Sequence, residues 1–262
     1  MKKTAIILIC ALALALSFAA CGGRTESNPP AQAAQEYQPE LVSREKAAEW
    51  NATIGADTIN LVQFRIAAPG SEVAVIKTNY GDLRVILFRD EAPLAVENFV
   101  TLANNGYFNG MTFYRVVHNF VIESGKPADG TATSIYRDKD DNPTPFNDEF
   151  SLNLWNFRGA LIMQNGGEGN RNSNTSEFMI VQAKTISQAV FEQMEALHYP
   201  DVVLEKYKEV GGIPGFDWRH TVFGQLTEES MAILDSIADV AVDAAFEPER
   251  TILIEEIRIE TL

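Results

Sequence analysis

Cysteine and histidine are scarce in this chain: of 262 residues, two are cysteine and three are histidine. Cys10 lies inside an N-terminal leader and Cys21 at its end, so the rest holds no cysteine for an internal disulfide or a redox site. His118, His198 and His220 lack the spacing of zinc ligands. Positive charge is short as well, with 21 Lys and Arg against 36 Asp and Glu and a formal net charge of −15. A surface of that sign repels phosphate backbones and anionic headgroups, which argues against nucleic-acid binding and polybasic membrane docking. The stretch Asn165 to Asn174 is rich in glycine and asparagine but has neither the lysine nor the strand–loop–helix setting of a phosphate cradle, and reads as a flexible loop. Asp138 to Asn142 with Glu149 has the ligand spacing of a calcium loop, yet Pro143 stands where the sharp turn needs glycine. A solvated acidic loop is expected there, with no metal.

What is present begins with a leader. Lys2 and Lys3, an uncharged run from Ala5 to Ala20, and small residues before Cys21 predict an export signal over residues 1–20, short of the ~20 apolar residues a membrane span needs. Loss of its two lysines takes the charge from −15 to −17. The run Leu16-Ser17-Phe18-Ala19-Ala20-Cys21-Gly22-Gly23 resembles a bacterial lipobox, with Phe18 replacing the usual leucine. That resemblance implies lipid attachment at Cys21 and an extracytoplasmic, membrane-anchored lipoprotein on the cell surface or periplasmic face; more than one acyl chain makes such an anchor stable. Residues 21–70 turn to Pro, Ala, Gln, Ser and Glu and read as a lipid-anchored tether. Short local elements at 41–50 and 59–66 have room to pack on the domain that follows, residues 71–262.

In that domain Val73-Val75 and Leu83-Val85-Leu87 alternate around Tyr80-Gly81-Asp82, a hairpin signature. Pro93 opens a helix whose Val96, Phe99, Val100 and Ala103 share one face before Asn105-Gly106 ends it. Strands are expected at Thr112 to Ile122, Leu161 to Met163, Phe178 to Val181, Thr221 to Leu226 and Thr251 to Glu260, and a second helix at Thr227 to Val240. Many short strands with two core helices argue for a mainly β, closed or nearly closed barrel. Residues 184–214 carry helical spacing in acidic surroundings and read as an insertion, most simply a solvated decoration.

Six ordered segments carry a resemblance to a known family. Phe113 to Ile122, in the sequence FYRVVHNFVI, resembles the signature of cyclophilins, the cyclosporin-binding peptidyl-prolyl isomerases. Pro93 to Phe99 with Gly106 to Gly110, Asn147 to Phe150, Gly159 to Asn165, Asn174 to Phe178 and His220 to Gln225 follow in the family's order, from about Val73 to Leu262. The lipobox and the insertion make the chain most similar to lipid-anchored bacterial cyclophilins. The resemblance implies a closed eight-stranded antiparallel barrel capped by two α-helices. It also implies isomerase activity on proline-containing unfolded or extended polypeptides, assisting the folding of exported proteins, with no cofactor. Arg115 is placed by it at the prolyl nitrogen, Phe120, Met163 and Phe216 along the proline pocket, His220 at its rim and Asn165 on substrate backbone, with Phe178 as core beneath.

Four departures bear on that site. Glu123 stands where the family has a glutamine beside the arginine, and Glu177 where another glutamine binds substrate; a carboxylate accepts but cannot donate. Glu123 can also pair with Arg115, either holding it or competing with substrate for it. Met179 replaces a pocket phenylalanine and Gly215 a frequent aromatic, so weak cyclosporin binding is expected. Ser124-Gly125-Lys126 replaces a Gly-Gly-Asp segment. The departures predict reduced isomerase activity with a preference for basic residues near the proline; a non-catalytic proline-peptide-binding or chaperone module is the alternative.

Overall fold

The computed structural model describes residue 51, residues 58–165 and residues 170–262. The leader, the Cys21 attachment site and the elements expected at 41–50 lie outside the described residues. Twelve regular elements follow: β1 (Glu72–Thr78), β2 (Gly81–Leu87), α1 (Pro93–Asn104), β3 (Arg115–Val117), β4 (Val121–Ser124), β5 (Ala160–Met163), β6 (Phe178–Val181), α2 (Gln188–Ala196), α3 (Asp201–Val210), β7 (Val222–Leu226), α4 (Met231–Ala238) and β8 (Ile254–Thr261). All eight strands form one antiparallel curled sheet in the order β3-β4-β6-β5-β7-β2-β1-β8. The end strands share no ladder. The curl is joined instead by a single bridge, Thr112 to Leu253, flanked by hydrogen bonds from Phe113 N to Ile252 O (2.9 Å) and Ile254 N to Met111 O (2.8 Å). The mainly β, eight-stranded barrel-like sheet is thus present, joined at that seam by a bridge.

Both core helices bury apolar faces on the barrel interior, as their spacing requires: Val96, Phe99, Val100 and Ala103 of α1 and Leu234 and Ile237 of α4 join one cluster with Leu83, Val85, Leu161 and Phe178. Phe178 sits among Phe99, Phe108 and Phe113 in edge-on contacts of 5.5, 5.8 and 6.2 Å, the arrangement aromatic quadrupoles favour. The first amides of α1 have no local cap, since Ala92 offers no side-chain acceptor. Glu149 supplies one from a distant loop, accepting from Leu94 N (3.0 Å) and Ala95 N (2.9 Å), where the helix dipole also favours a negative charge.

Three expectations change. The run Thr112 to Ile122 is two strands: it folds back through residues 118–120, where Asn119 takes the left-handed conformation at φ 54 and its Oδ1 accepts from Lys184 N. The helix expected from Thr227 starts with a 3-10 turn, Glu228–Ser230, and its α-helical part is Met231–Ala238. The insertion is not a solvated decoration. Met194, Leu197, Tyr199, Val203, Leu204 and Tyr207 bury against Trp155 and Phe157 in a cluster of their own, and Ile59 and Leu61 pack on it from the N-terminal side. Gln63 seals that junction: its amide donates to Trp155 O (3.0 Å) and Gln225 Oε1 (2.8 Å) and accepts from Trp155 N (2.7 Å). Among the described residues no helix is long and apolar enough to cross a membrane.

Glu149→Ala should lower the unfolding free energy by about 1–2 kcal/mol through loss of the α1 cap. The measurement is the urea midpoint at constant m-value; an unmoved midpoint contradicts the capping role.

Candidate active site

Side chains alternate between the two faces of each strand, and the register assigns them. On β4, β5 and β6, Ile122, Leu161, Met163, Phe178 and Ile180 belong to the interior cluster, while Val121, Ala160, Ile162, Met179 and Val181 belong to a second cluster on the opposite face. Pairing then lines up one row across four strands: Arg115 opposite Glu123, Glu123 opposite Met179, Met179 opposite Ile162. At ~4.8 Å per strand, Arg115 and Met179 stand roughly 10 Å apart on one outer face with Glu123 between them.

An apolar hollow adjoins this row. Phe120, half-buried in the turn before β4, meets the Phe216 ring edge-on at 5.3 Å, and Phe216 lies 4.5 Å from the His220 ring. Phe216, Val121 and Met179 share the same cluster, with Phe120 packed against it. Of the residues assigned by sequence, the structure therefore brings Arg115, Glu123, Met179, Phe120, Phe216 and His220 together on one side of the sheet. Met163 is not among them: the register turns it to the interior beside Phe178, so it does not line the hollow, and Val121 stands on that wall instead. The resemblance places Met163 by position along β5, and a strand buried on both faces carries no polarity that marks which way a residue points.

The charges are tightly arranged. Arg115 Nη1 donates to Glu123 Oε1, and the guanidinium lies over the Phe246 ring at 5.5 Å. Burial pushes the Glu123 carboxyl above the usual carboxylate range, and the pull of Arg115 only partly offsets it. Glu177 accepts from the Tyr114 hydroxyl (3.2 Å) and forms no ion pair among the described residues. Burial and then the Glu177 charge push the Tyr114 phenol up. Tyr114, Val121 and Phe246 carry no site assignment from the sequence; the first two lie within the signature beside Arg115 and Phe120, whereas Phe246 arrives from a distant loop with no local signal.

Asn165 is buried, and its amide nitrogen donates to Asp148 Oδ1 (3.1 Å) and Arg219 O (2.8 Å), so its donor side is committed within the protein and is not turned to a substrate. The serine at 124 and the retained glycine at 125 have a structural reading. Ser124 Oγ donates to Thr112 O (2.8 Å) beside the barrel seam, and a Cβ at Gly125 would lie 2.1 Å from Ser176 O. At the acidic loop, Asp138 accepts from the amides of Asp140 and Asn142 while Glu149 is occupied at α1. Among the described residues no group of three or more metal-ligating side chains converges.

His220 Nδ1 lies 3.1 Å from the Met163 carbonyl, which can only accept, so Nδ1 carries the proton. Burial lowers its pKa from 6.5 to about 4, against the opposing pull of that carbonyl. A base held neutral in the fold contributes stability above pH 6.5 that is lost as pH falls toward 4, on the order of 3 kcal/mol in all. Nuclear magnetic resonance titration should place the His220 midpoint near 4; a midpoint near 6.5 contradicts the buried neutral ring.

Comparison with known proteins identifies the family. The family model for cyclophilin type peptidyl-prolyl cis-trans isomerase/CLD matches residues 73–259. A Staphylococcus epidermidis protein named for peptidyl-prolyl cis-trans isomerase activity is 42% identical over 207 residues, 77% of this chain and 98% of that protein. A Staphylococcus aureus protein with the same name is 41% identical over 196 residues, 73% of this chain and 93% of the relative. Among solved structures, a Cryptosporidium parvum cyclophilin type isomerase, crystallised in the presence of the dipeptide Ala-Pro, matches with a TM-score of 0.56. It is 25% identical, over 72% of this chain and 99% of that one. The register row and the ordered motifs fall inside the matched span, and the chain belongs to the cyclophilin type peptidyl-prolyl cis-trans isomerases.

Proposed function

We propose that this isomerase turns X–Pro bonds in extended polypeptides outside the cytoplasm, on the sheet face between Arg115 and the Phe120–Phe216 hollow. The register row carries the reading, because it sets a permanent cation and an apolar socket on one face. Rotation about the imide faces a barrier of ~18–20 kcal/mol and takes ~10–100 s unaided. No bond breaks. A donor directed at the prolyl nitrogen as it becomes pyramidal weakens its conjugation with the carbonyl, and each ~1.4 kcal/mol gained is about tenfold in rate. Arg115 is that donor, with the pyrrolidine ring seated among Phe120, Val121, Met179 and Phe216. His220, neutral and packed on Phe216, shapes the rim. The Ala-Pro dipeptide present with the Cryptosporidium parvum structure is of the same chemical class as this substrate.

Glu123 tempers the activity. Its carboxylate engages one guanidinium nitrogen and partly neutralises the charge that the twisted imide needs, so turnover is slower than a glutamine at that position would permit. The same pair favours the alternative of a non-catalytic proline-peptide holder, as do the departures at Glu177, Met179 and Gly215. Anchoring by lipid at Cys21 and a role in folding exported chains rest on the lipobox-like run from Leu16 to Gly23. With Met179 and Gly215 in the groove, cyclosporin binds weakly.

Two measurements test this. In exchange spectroscopy on a short proline peptide, Arg115→Ala should lose activity about a hundred- to a thousandfold, and Glu123→Gln should gain about three- to tenfold. Unchanged exchange in Arg115→Ala removes the mechanism, and a loss in Glu123→Gln means that the carboxylate supports the arginine. Because Glu177 has no cationic partner among the described residues, Ala-Lys-Pro-Phe should turn over faster than Ala-Glu-Pro-Phe; equal rates remove the charge preference.

A further inference from the structure

Phe216 belongs to no strand or α-helix. It ends a single 3-10 turn, Pro214–Phe216, whose preceding residue supplies no side-chain cap, and the chain then passes through Trp218 at φ 61. The helical insertion holds both ends of this turn. At its start, the Tyr199 hydroxyl donates to Pro214 O (3.1 Å). At its end, the Tyr207 hydroxyl on α3 lies 2.8 Å from each carboxylate oxygen of Asp217, and Asn156 donates to Oδ1 through both its backbone and side-chain nitrogens at 2.9 Å.

The Asp217 carboxylate is the unusual element. It is 5% exposed, has no ion pair among the described residues, and is satisfied only by neutral donors. Burying a carboxylate in that way is costly, and burial pushes its pKa up to about 6. An apolar side chain of similar volume would avoid the cost while leaving the turn loose. What the carboxylate provides is direction, since three donors, one from α3 and two from Asn156 in the loop before β5, meet it one residue after Phe216.

We infer that Tyr207 and Tyr199 of the insertion are positioning residues for the proline groove: acting through the Asp217 carboxylate and the Pro214 carbonyl, they hold Phe216 against Phe120. This rests on the reading of the Phe120–Phe216 hollow as the proline socket. The insertion is then part of the substrate site without touching substrate, and changes in α3 alter affinity for proline before they alter the rotation step.

Tyr207→Phe keeps the ring that packs 4.4 Å from Phe157 and removes only the hydroxyl. In full-length protein, with a proline tetrapeptide as probe, it should raise KM about fivefold and leave kcat within about twofold, the pattern of lost uniform binding. Tyr199→Phe should act in the same direction. In a Phe216→Ala background, Tyr207→Phe should no longer change KM, because its effect is transmitted through that ring. An unchanged KM in Tyr207→Phe, or an undiminished effect in the Phe216→Ala background, overturns the inference and leaves the groove reading standing. Wild-type KM in Phe216→Ala alone brings down the groove reading and the inference with it. Should Tyr207→Phe not fold, Tyr199→Phe in the same two backgrounds decides.

Discussion

The alternation of side chains along three short, wholly buried strands governs this molecule. Every residue of β4, β5 and β6 is buried, so neither face is marked by exposure, and pairing register determines what lies inside the barrel and what lies on the groove. A slip of one residue would send Phe178 out from among its three aromatic neighbours and bring Met179 in. Dense packing on the inner face opposes that slip, and the outer row from Arg115 to Ile162 follows from it. Core stability and site geometry are therefore consequences of one constraint.

On that scaffold the chain places a charge arrangement of its own. A guanidinium paired with a buried carboxylate is better ordered than a free one and less available to a developing lone pair. The pair is asymmetric: the Arg115 side chain is 35% exposed and that of Glu123 8%. Most of the desolvation cost thus falls on the acid, which agrees with the upward shift of its pKa. The guanidinium keeps contact with solvent and with the Phe246 ring, leaving room for a substrate to approach.

Much of the architecture was legible from local pattern. The β1–β2 hairpin, the buried face of α1 and the strands at Leu161 and Phe178 each follow from residues adjacent in sequence. The features that escaped are those set at a distance. Glu149 caps a helix more than fifty residues away. Phe246 reaches Arg115 from the loop before β8, and the Asp217 cluster joins Asn156 to the insertion. The break within Thr112 to Ile122 depended on turn chemistry at Asn119 that a β-branched run obscures. The resemblance picked out Arg115, Glu123, Phe120, Phe216 and His220, which the structure gathers on one face, whereas Met163 and Val121 could be sorted only by knowing which way each strand faces.

The most direct test of the central claim uses methyl-labelled methionine in the full chain, titrated with a proline peptide and followed by nuclear magnetic resonance. The Met179 methyl should shift and show cross-relaxation to the prolyl ring while the Met163 methyl stays unmoved. A prolyl contact at Met163 with Met179 silent would contradict the register-defined groove and the function built on it.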